Sequence, residues 1–263
     1  MVPSAPFSRL RGAKLGLAVW RYQKGRFFQE DFPLPQEATL LLCLNGEPWT
    51  ALSYTPGEEL LLALGHLYLS GVVGGLEGLT WQVGDGVVNL NLPQRPKRGL
   101  GVRDSGCAAG LRFGEAPLRP LPPVSLDPGL PPRLLSELRR EARAYAETRG
   151  IHGAALFDLE GRLLYLNEDI GRHNAVDRLM GYMLLEGIKP PVLLAVTGRV
   201  SREMAAKAIA MGAVLLASRT GATAPAVDLA KRYGLALAAY VRPESYRLYA
   251  PGGLTIPMPN PTD

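Results

Sequence analysis

From residue 192 to residue 241 the chain reads as short apolar runs separated by stretches of helical length, and this alternation limits the possible folds most. The runs are Val192–Val196, residues 214–217 and residues 235–241. Each is too short for a buried helix and too uniformly apolar for a strand with one wet face, so each reads as a buried strand. Residues 202–211 and 225–233 lie between them and read as helices. Upstream, residues 134–148 form an amphipathic, charge-laced helix, and residues 154–158 and 162–167 flank Leu159-Glu160-Gly161 as a hairpin. Residues 173–186 give a further helix. Strands alternating with helices of this length predict an α/β fold with a mostly parallel sheet covered on both faces.

A proline-rich segment separates this pattern from a different one. Residues 117–132 contain Pro117, Pro120, Pro122, Pro123, Pro128, Pro131 and Pro132, too many for a regular element, and read as a linker. The expected division is therefore a smaller β-rich N-terminal domain over residues 1–116, the linker, and an α/β domain over residues 133–263. Within the first part, Asn45-Gly46 turns between 39–44 and 49–54, and Gly84-Asp85-Gly86 turns between 79–83 and 87–92. One helix over 60–69 follows Thr55-Pro56-Gly57-Glu58-Glu59, which supplies an N-cap, an early proline and acidic first-turn residues.

Two cysteines in 263 residues exclude a disulfide framework and a zinc ribbon. Cys107 lies among small residues, with Arg95, Lys97, Arg98 and Arg103 close by in sequence; neighbouring cations favour a thiolate. It reads as a nucleophile or sulfur carrier on an accessible loop, against the alternative of a small buried residue, the usual fate of a free cysteine. Cys43, inside a short apolar run ending at Asn45-Gly46, reads as structural. A Cys43–Cys107 disulfide is open in principle, but nothing indicates an oxidising compartment. The N-terminus lacks a signal-peptide apolar core, and no apolar run approaches membrane-spanning length. A soluble, cytoplasmic protein with no membrane partner is the expectation. The net charge of +5 suits an anionic ligand, whereas aromatics are not interleaved with Lys and Arg as on single-strand stacking platforms, so no nucleic-acid partner is expected.

Ligands of open α/β sheets bind beyond the strand carboxyl ends, and two loops there have suitable chemistry. Thr197-Gly198-Arg199-Val200-Ser201 opens a helix with Ser201 as N-cap, and Ser218-Arg219-Thr220-Gly221-Ala222-Thr223 does the same one unit later. Hydroxyls, a glycine, an arginine and free helix N–H groups suit a phosphate; capping hydroxyls and solvated arginines are the blander alternative. The densest polar stretch runs from Asn167 to Asp177, where His173 and Asp177 share a helix face and the carboxylate is placed to orient the imidazole. Three histidines and two cysteines scattered over both halves give no zinc spacing, and the zinc-deaminase signature is absent, so no intrinsic metal is expected.

Asp169-Ile170-Gly171-Arg172-His173-Asn174-Ala175-Val176-Asp177-Arg178 resembles the hallmark of the FdhD (formate dehydrogenase accessory protein) family. So do Thr197-Gly198-Arg199-Val200-Ser201, Tyr240-Val241-Arg242, Leu44-Asn45-Gly46-Glu47 and Thr55-Pro56-Gly57-Glu58-Glu59-Leu60. The resemblance spans about residues 17–250. It implies a sulfurtransferase that takes sulfur from a cysteine desulfurase and passes it to the molybdenum bis(molybdopterin guanine dinucleotide) cofactor of formate dehydrogenase. It also implies a C-terminal domain similar to the cytidine-deaminase fold without its zinc, and a homodimer. On this reading Cys107 carries the persulfide. The cofactor, as bound substrate, contacts Arg172, His173, Asn174 and Asp177; Thr197, Gly198, Arg199 and Ser201; Ser218 and Arg219; and Tyr240, Val241, Arg242, Pro243, Glu244 and Ser245. The family pattern Cys-Gly-x-Cys-Gly is reduced here to Cys107 alone, with Gly110 at the second cysteine's place in the favoured register. Two rivals stay open: a non-catalytic cofactor chaperone, and a nucleotide-processing hydrolase using His173 and Asp177.

Overall fold

A computed structural model describes residues 14–93 and 116–256. Three sheets organise them. The two strands β1 (Lys14–Gln23) and β2 (Arg26–Pro35) form a ribbon of their own. A four-stranded sheet in the order β4-β3-β6-β5 holds β3 (Ala38–Leu44), β4 (Glu47–Tyr54), β5 (Thr80–Gly84) and β6 (Val87–Asn91). The Asn45-Gly46 turn between β3 and β4 has positive φ at both residues, 52° and 81°, the twist a two-residue hairpin requires. One face of this sheet is covered by α1 (Glu59–Leu69), whose Leu62, Leu64 and Leu67 are fully buried with Leu40, Leu42, Val88 and Leu90.

The helix expected over 60–69 is present as α1, but Thr55 is not its N-cap. Its first residue follows Glu58 in the left-handed region (φ 54°). Thr55 serves a different purpose: its N–H donates to Asp169 Oδ2 (3.1 Å) and its hydroxyl accepts from the Ile170 N–H (3.1 Å).

The second half contains α2 (Leu130–Glu141), α3 (Arg143–Thr148), β7 (His152–Phe157), β8 (Leu163–Asp169), α4 (Arg172–Glu186), β9 (Val192–Val196), α5 (Arg202–Ala210), β10 (Ala213–Ser218), α6 (Ala224–Tyr233), β11 (Ala236–Arg242) and β12 (Ser245–Ala250). The single helix expected over 134–148 is two. The chain leaves helical geometry at Ala142 (ψ 81°), and the buried Glu168 carboxylate accepts the N–H groups of Ala144 (3.0 Å) and Tyr145 (2.6 Å), capping α3 anew. Pro131 and Pro132, read as linker, occupy the first turn of α2, where a missing N–H costs nothing.

The large sheet runs β12-β11-β10-β9-β7-β8 and corrects the expectation of a mostly parallel sheet. Only β9–β10 and β10–β11 pair in parallel; β7–β8, β7–β9 and β11–β12 are antiparallel. The reason is connection length. The Asp158–Arg162 turn and the Pro243-Glu244 turn are too short to cross a sheet, so β8 and β12 must fold straight back. The crossovers through α4, α5 and α6 still point β8, β9, β10 and β11 the same way, so their carboxyl ends share one edge. Packing fills both faces, with Val176, Leu179, Leu194 and Met204 on one side and Leu134, Leu138, Phe157 and Leu215 on the other.

α1 and α4 join the two halves at unusually close range. A Cβ on Gly65 would lie 1.7 Å from the Asp177 carbonyl oxygen, and one on Gly181 would lie 2.0 Å from the Leu61 carbonyl oxygen. Only glycine permits either approach. Since the later residue of α1 meets the earlier residue of α4, the helices run antiparallel. The carboxyl end of α1 therefore lies toward the amino end of α4.

Candidate functional site

The carboxyl edge of the large sheet gathers most of the residues expected to bind a ligand, held by main-chain contacts between loops. After β9, the Val200 N–H donates to the Gly221 carbonyl (3.0 Å) and the Thr223 N–H to the Val200 carbonyl (3.0 Å), so the two loops extend the parallel pairing past the strands. The buried Ser218 hydroxyl donates to the Gly198 carbonyl (2.8 Å) and accepts from the Thr220 N–H (3.1 Å). Thr197 is buried, and its hydroxyl accepts from the Gly153 N–H (3.0 Å). The Tyr240 N–H donates to the Thr220 carbonyl (2.9 Å), which ties the end of β11 into the same cluster. Ser201 is the N-cap of α5, its hydroxyl accepting from the Met204 N–H. Thr223 holds the corresponding place on α6 without a side-chain cap bond.

Two glycines mark where side chains close over backbone. A Cβ on Gly221 would come within 2.6 Å of the Tyr240 hydroxyl, and one on Gly198 within 3.1 Å of Arg172 Cβ and 3.2 Å of His152 Nδ1. Tyr240 itself has φ of 53°, a strained value for an aromatic residue, and its half-exposed ring lies under the Arg247 guanidinium (5.0 Å). Four arginines rim the edge. Arg199 is exposed, and Arg172 opens α4 beside Gly198. Arg219 donates to the Val241 carbonyl (3.4 Å), and Arg242 donates to the carbonyls of Arg219 (2.8 Å) and Val241 (2.9 Å). Pro243, Glu244 and Ser245 continue from there as the exposed turn into β12. Three helices, α4, α5 and α6, present their amino ends here. Guanidinium groups beside the positive ends of helices together suit a polyanion such as a pyrophosphate.

The histidine motif divides between this edge and the α1 interface. His173 sits at the edge, its Nδ1 3.5 Å from Glu203 Oε1. Burial, reinforced by the Lys207 ammonium, pushes its imidazole down to about 4, so it is neutral at pH 7. His152 is lowered as well, by burial and then by Arg172. Asp177 does not orient His173 as the spacing suggests. Its buried carboxylate takes Lys207 Nζ at 2.5 Å and His66 Nδ1 at 3.2 Å. Burial alone would raise this carboxyl, but Lys207 and His66 outweigh it and hold it at about 2.

Asn174 likewise turns inward, donating to the Ser53 carbonyl (2.8 Å) and to Asp169 Oδ1 (3.0 Å). Asp169 and Arg178 are fully buried and pair at 3.0 Å, with Arg178 also donating to the Thr55 carbonyl (2.6 Å) and Asn167 Oδ1 (3.1 Å). Much of the motif is thus a polar clamp between the halves. Glu203, Lys207 and His152 belong to the site although sequence reasoning passed over them. The i, i+4 spacing of Glu203 and Lys207 was the available signal, and nothing local marked His152.

Cys107 and its four neighbouring cations lie outside the described residues. The flanking chain is placed: the Ala116 N–H donates to the Leu69 carbonyl (3.3 Å) at the carboxyl end of α1, toward the amino end of α4 that carries Arg172 and His173. Cys43 is buried on β3, and burial followed by Glu47 pushes its thiol up. Among the described residues, no three His, Cys, Asp or Glu are grouped to hold a metal, and no helix is long and apolar enough to cross a membrane.

A family model for the FdhD/NarQ family matches residues 35–254, which contain every placed element of this edge. The chain belongs to the FdhD/NarQ family. Among its FdhD relatives, the sulfur carrier protein FdhD of Streptomyces avermitilis is 35% identical over 260 residues, covering 88% of this chain and 92% of the relative. The protein of the same name from Bacillus subtilis is 29% identical over 248 residues, covering 88% and 93%. A crystal structure from Desulfotalea psychrophila, described as a formate dehydrogenase accessory protein, superposes with a TM-score of 0.77 at 24% identity. It covers 92% of this chain and 100% of the other, a likeness that speaks to the FdhD fold.

Proposed function

We propose that this chain is a sulfur carrier for formate dehydrogenase maturation, with residues 1–116 bearing the carrier cysteine and residues 133–263 binding the acceptor in a layer of cytidine-deaminase type. The Cys107 thiolate attacks the outer sulfur of a cysteine desulfurase persulfide. A new S–S bond forms at Cys107, the desulfurase thiolate leaves, and no external oxidant is consumed. The outer sulfur is then handed to the molybdenum bis(molybdopterin guanine dinucleotide) cofactor, bound as substrate at the sheet edge. A thiol reductant supplies the two electrons that take this sulfane sulfur to the sulfide level as the S–S bond breaks, and Cys107 leaves as a thiolate. Arg199, Arg219, Arg242 and the starts of α5 and α6 hold the guanine-dinucleotide phosphates. Neutral His173 and Arg172 flank the side toward α1. Turnover in the cytoplasm, as a homodimer, completes the reading.

One observation carries it. Ala116, nine residues beyond Cys107, is fixed to the end of α1 that faces this arginine-rimmed edge. Nine residues span up to about 30 Å when extended. The chain's relatives named as sulfur carriers support the same assignment. Calorimetric titration with GDP tests the acceptor site. Arg199→Glu should weaken binding at least tenfold, whereas Arg139→Glu, on the exposed face of α2, should leave it unchanged. Equal effects, or no GDP binding by the parent protein, would remove the site.

A further inference from the structure

Asp177 is the carboxylate that helix spacing offers to His173, but Lys207 and His66 take it. The carboxylate left beside the ring belongs to Glu203, one turn before Lys207 on α5. Its Oε1 lies 3.5 Å from His173 Nδ1 and 3.9 Å from Lys207 Nζ. An imidazole, a carboxylate, an ammonium and a second carboxylate thus follow one another along the seam between α4 and α5. His173 Nδ1 is buried and has no hydrogen-bond partner among the described residues. A buried polar atom left unpaired costs free energy. The Glu203 contact is longer than an ordinary hydrogen bond and short enough to close into one. Contacts of this kind are often loose before a ligand binds and tighten in the complex. With Nδ1 shut in, Nε2 is the ring nitrogen left for a ligand, on a side chain still 24% exposed at the arginine-rimmed edge.

The charges facing His173 decide its state. Burial, Lys207 and Arg172 oppose a proton on the ring, and Glu203 and Asp177 favour one. The balance holds the imidazole at about 4, so at pH 7 it meets a ligand in its neutral form. A phosphate group bound at the same edge reverses that balance. One negative charge about 4 Å from the ring, at an effective dielectric constant of about 20, favours the imidazolium roughly a thousandfold. The midpoint then moves from about 4 to about 7. The protonated ring donates from both nitrogens, Nε2 to a ligand oxygen and Nδ1 to Glu203, and both bonds are charge-assisted. The unpaired Nδ1 is satisfied in the same event.

We infer that His173 takes up a proton from solvent as a polyanion binds the sheet edge, and that Glu203 is the positioning residue that holds the protonated ring against the ligand. The inference rests on the acceptor site proposed at that edge. Because the bound midpoint lies above the free one, affinity is gained at low pH and lost as pH rises through about 7. Calorimetric titration of the full chain with GDP at pH 7, repeated in buffers of different ionisation enthalpy, counts the protons. The parent should take up about half a proton per GDP more than His173→Gln, as a midpoint of about 7 requires. Between pH 5.5 and 8.5 its GDP affinity should fall about thirtyfold more than that of His173→Gln. By NMR, the His173 midpoint should move from about 4 in the free protein to about 7 with GDP bound. Glu203→Gln, on the first turn of α5, should fold like the parent and bind GDP more weakly, with uptake cut to about a tenth of a proton. Glu203→Asp, which keeps the charge, should restore part of the uptake. GDP binding with equal proton counts in the parent, His173→Gln and Glu203→Gln would overturn the inference and leave the acceptor site standing. No GDP binding by the parent would remove the acceptor site and the inference with it.

Discussion

Gly65→Ala is the smallest change that should separate the two halves of the molecule. The new Cβ would sit 1.7 Å from the Asp177 carbonyl oxygen, 2.6 Å from its carbon and 2.8 Å from the Gly181 nitrogen. All three are backbone atoms of α4, so no side chain can rotate away. Restoring ordinary contact needs α1 to withdraw by roughly 1.5 Å, in a close-packed interior that transmits such shifts rather than absorbing them. The neighbouring His66 Nδ1–Asp177 Oδ2 contact of 3.2 Å is lost in the process. Overpacking costs about 1–3 kcal/mol and a hydrogen bond to a charged group about 1.5–3 kcal/mol, so the expected loss is about 3–5 kcal/mol. For a chain of this size that corresponds to a fall in Tm of roughly 10 °C. Calorimetry and circular dichroism should both report it, with the α4 amino end displaced and GDP affinity reduced. A Tm within about 2 °C of the parent would refute the close crossing on which the interface rests.

Asp177→Asn should leave Lys207 buried without its carboxylate and cost about 3 kcal/mol at pH 7, measured by urea unfolding. Because the folded carboxyl is held at about 2, below its unfolded value, its contribution is complete above the unfolded value and is lost as pH falls toward 2. The parent should therefore lose more stability than the variant on acidification through that window. His173 should show no imidazole titration between pH 5 and 8 by NMR, since burial and Lys207 hold it at about 4; a midpoint near 6.5 would contradict its placement.

Local patterns in the sequence were enough where a residue's partner is near in the chain. The Asn45-Gly46 hairpin, the buried strands Val192–Val196 and Ala213–Ser218, and the Ser201 cap are all dictated by neighbours within a few positions. The loops at the sheet edge followed, because a strand leading into a capped helix fixes where its hydroxyls and arginines lie. What escaped was set by distant residues. Asp177 answers to His66 and Lys207, 111 and 30 positions away, and not to His173 four positions away. Thr55 answers to Asp169 and Ile170, which leaves Glu58 and not Thr55 at the head of α1. Glu168 interrupts a helix that its own sequence would continue. The ribbon β1–β2 and the edge strand β12 lack a regular polar–apolar period, β2 running Phe27-Phe28 into Gln29-Glu30-Asp31, and their pairing is visible only in the folded chain.

The central claim is that Cys107 carries sulfur, and the most direct measurement is peptide mass spectrometry after incubation with a cysteine desulfurase and cysteine. The cations close to Cys107 in sequence favour its thiolate, whereas burial of Cys43 disfavours one. One additional sulfur atom should appear on the Cys107 peptide, be removed by a thiol reductant, and be absent from the Cys43 peptide. Cys107→Ser should carry no added sulfur and fail to support formate dehydrogenase activity. Sulfur found only on Cys43, or full formate dehydrogenase activity with Cys107→Ser, would contradict the account.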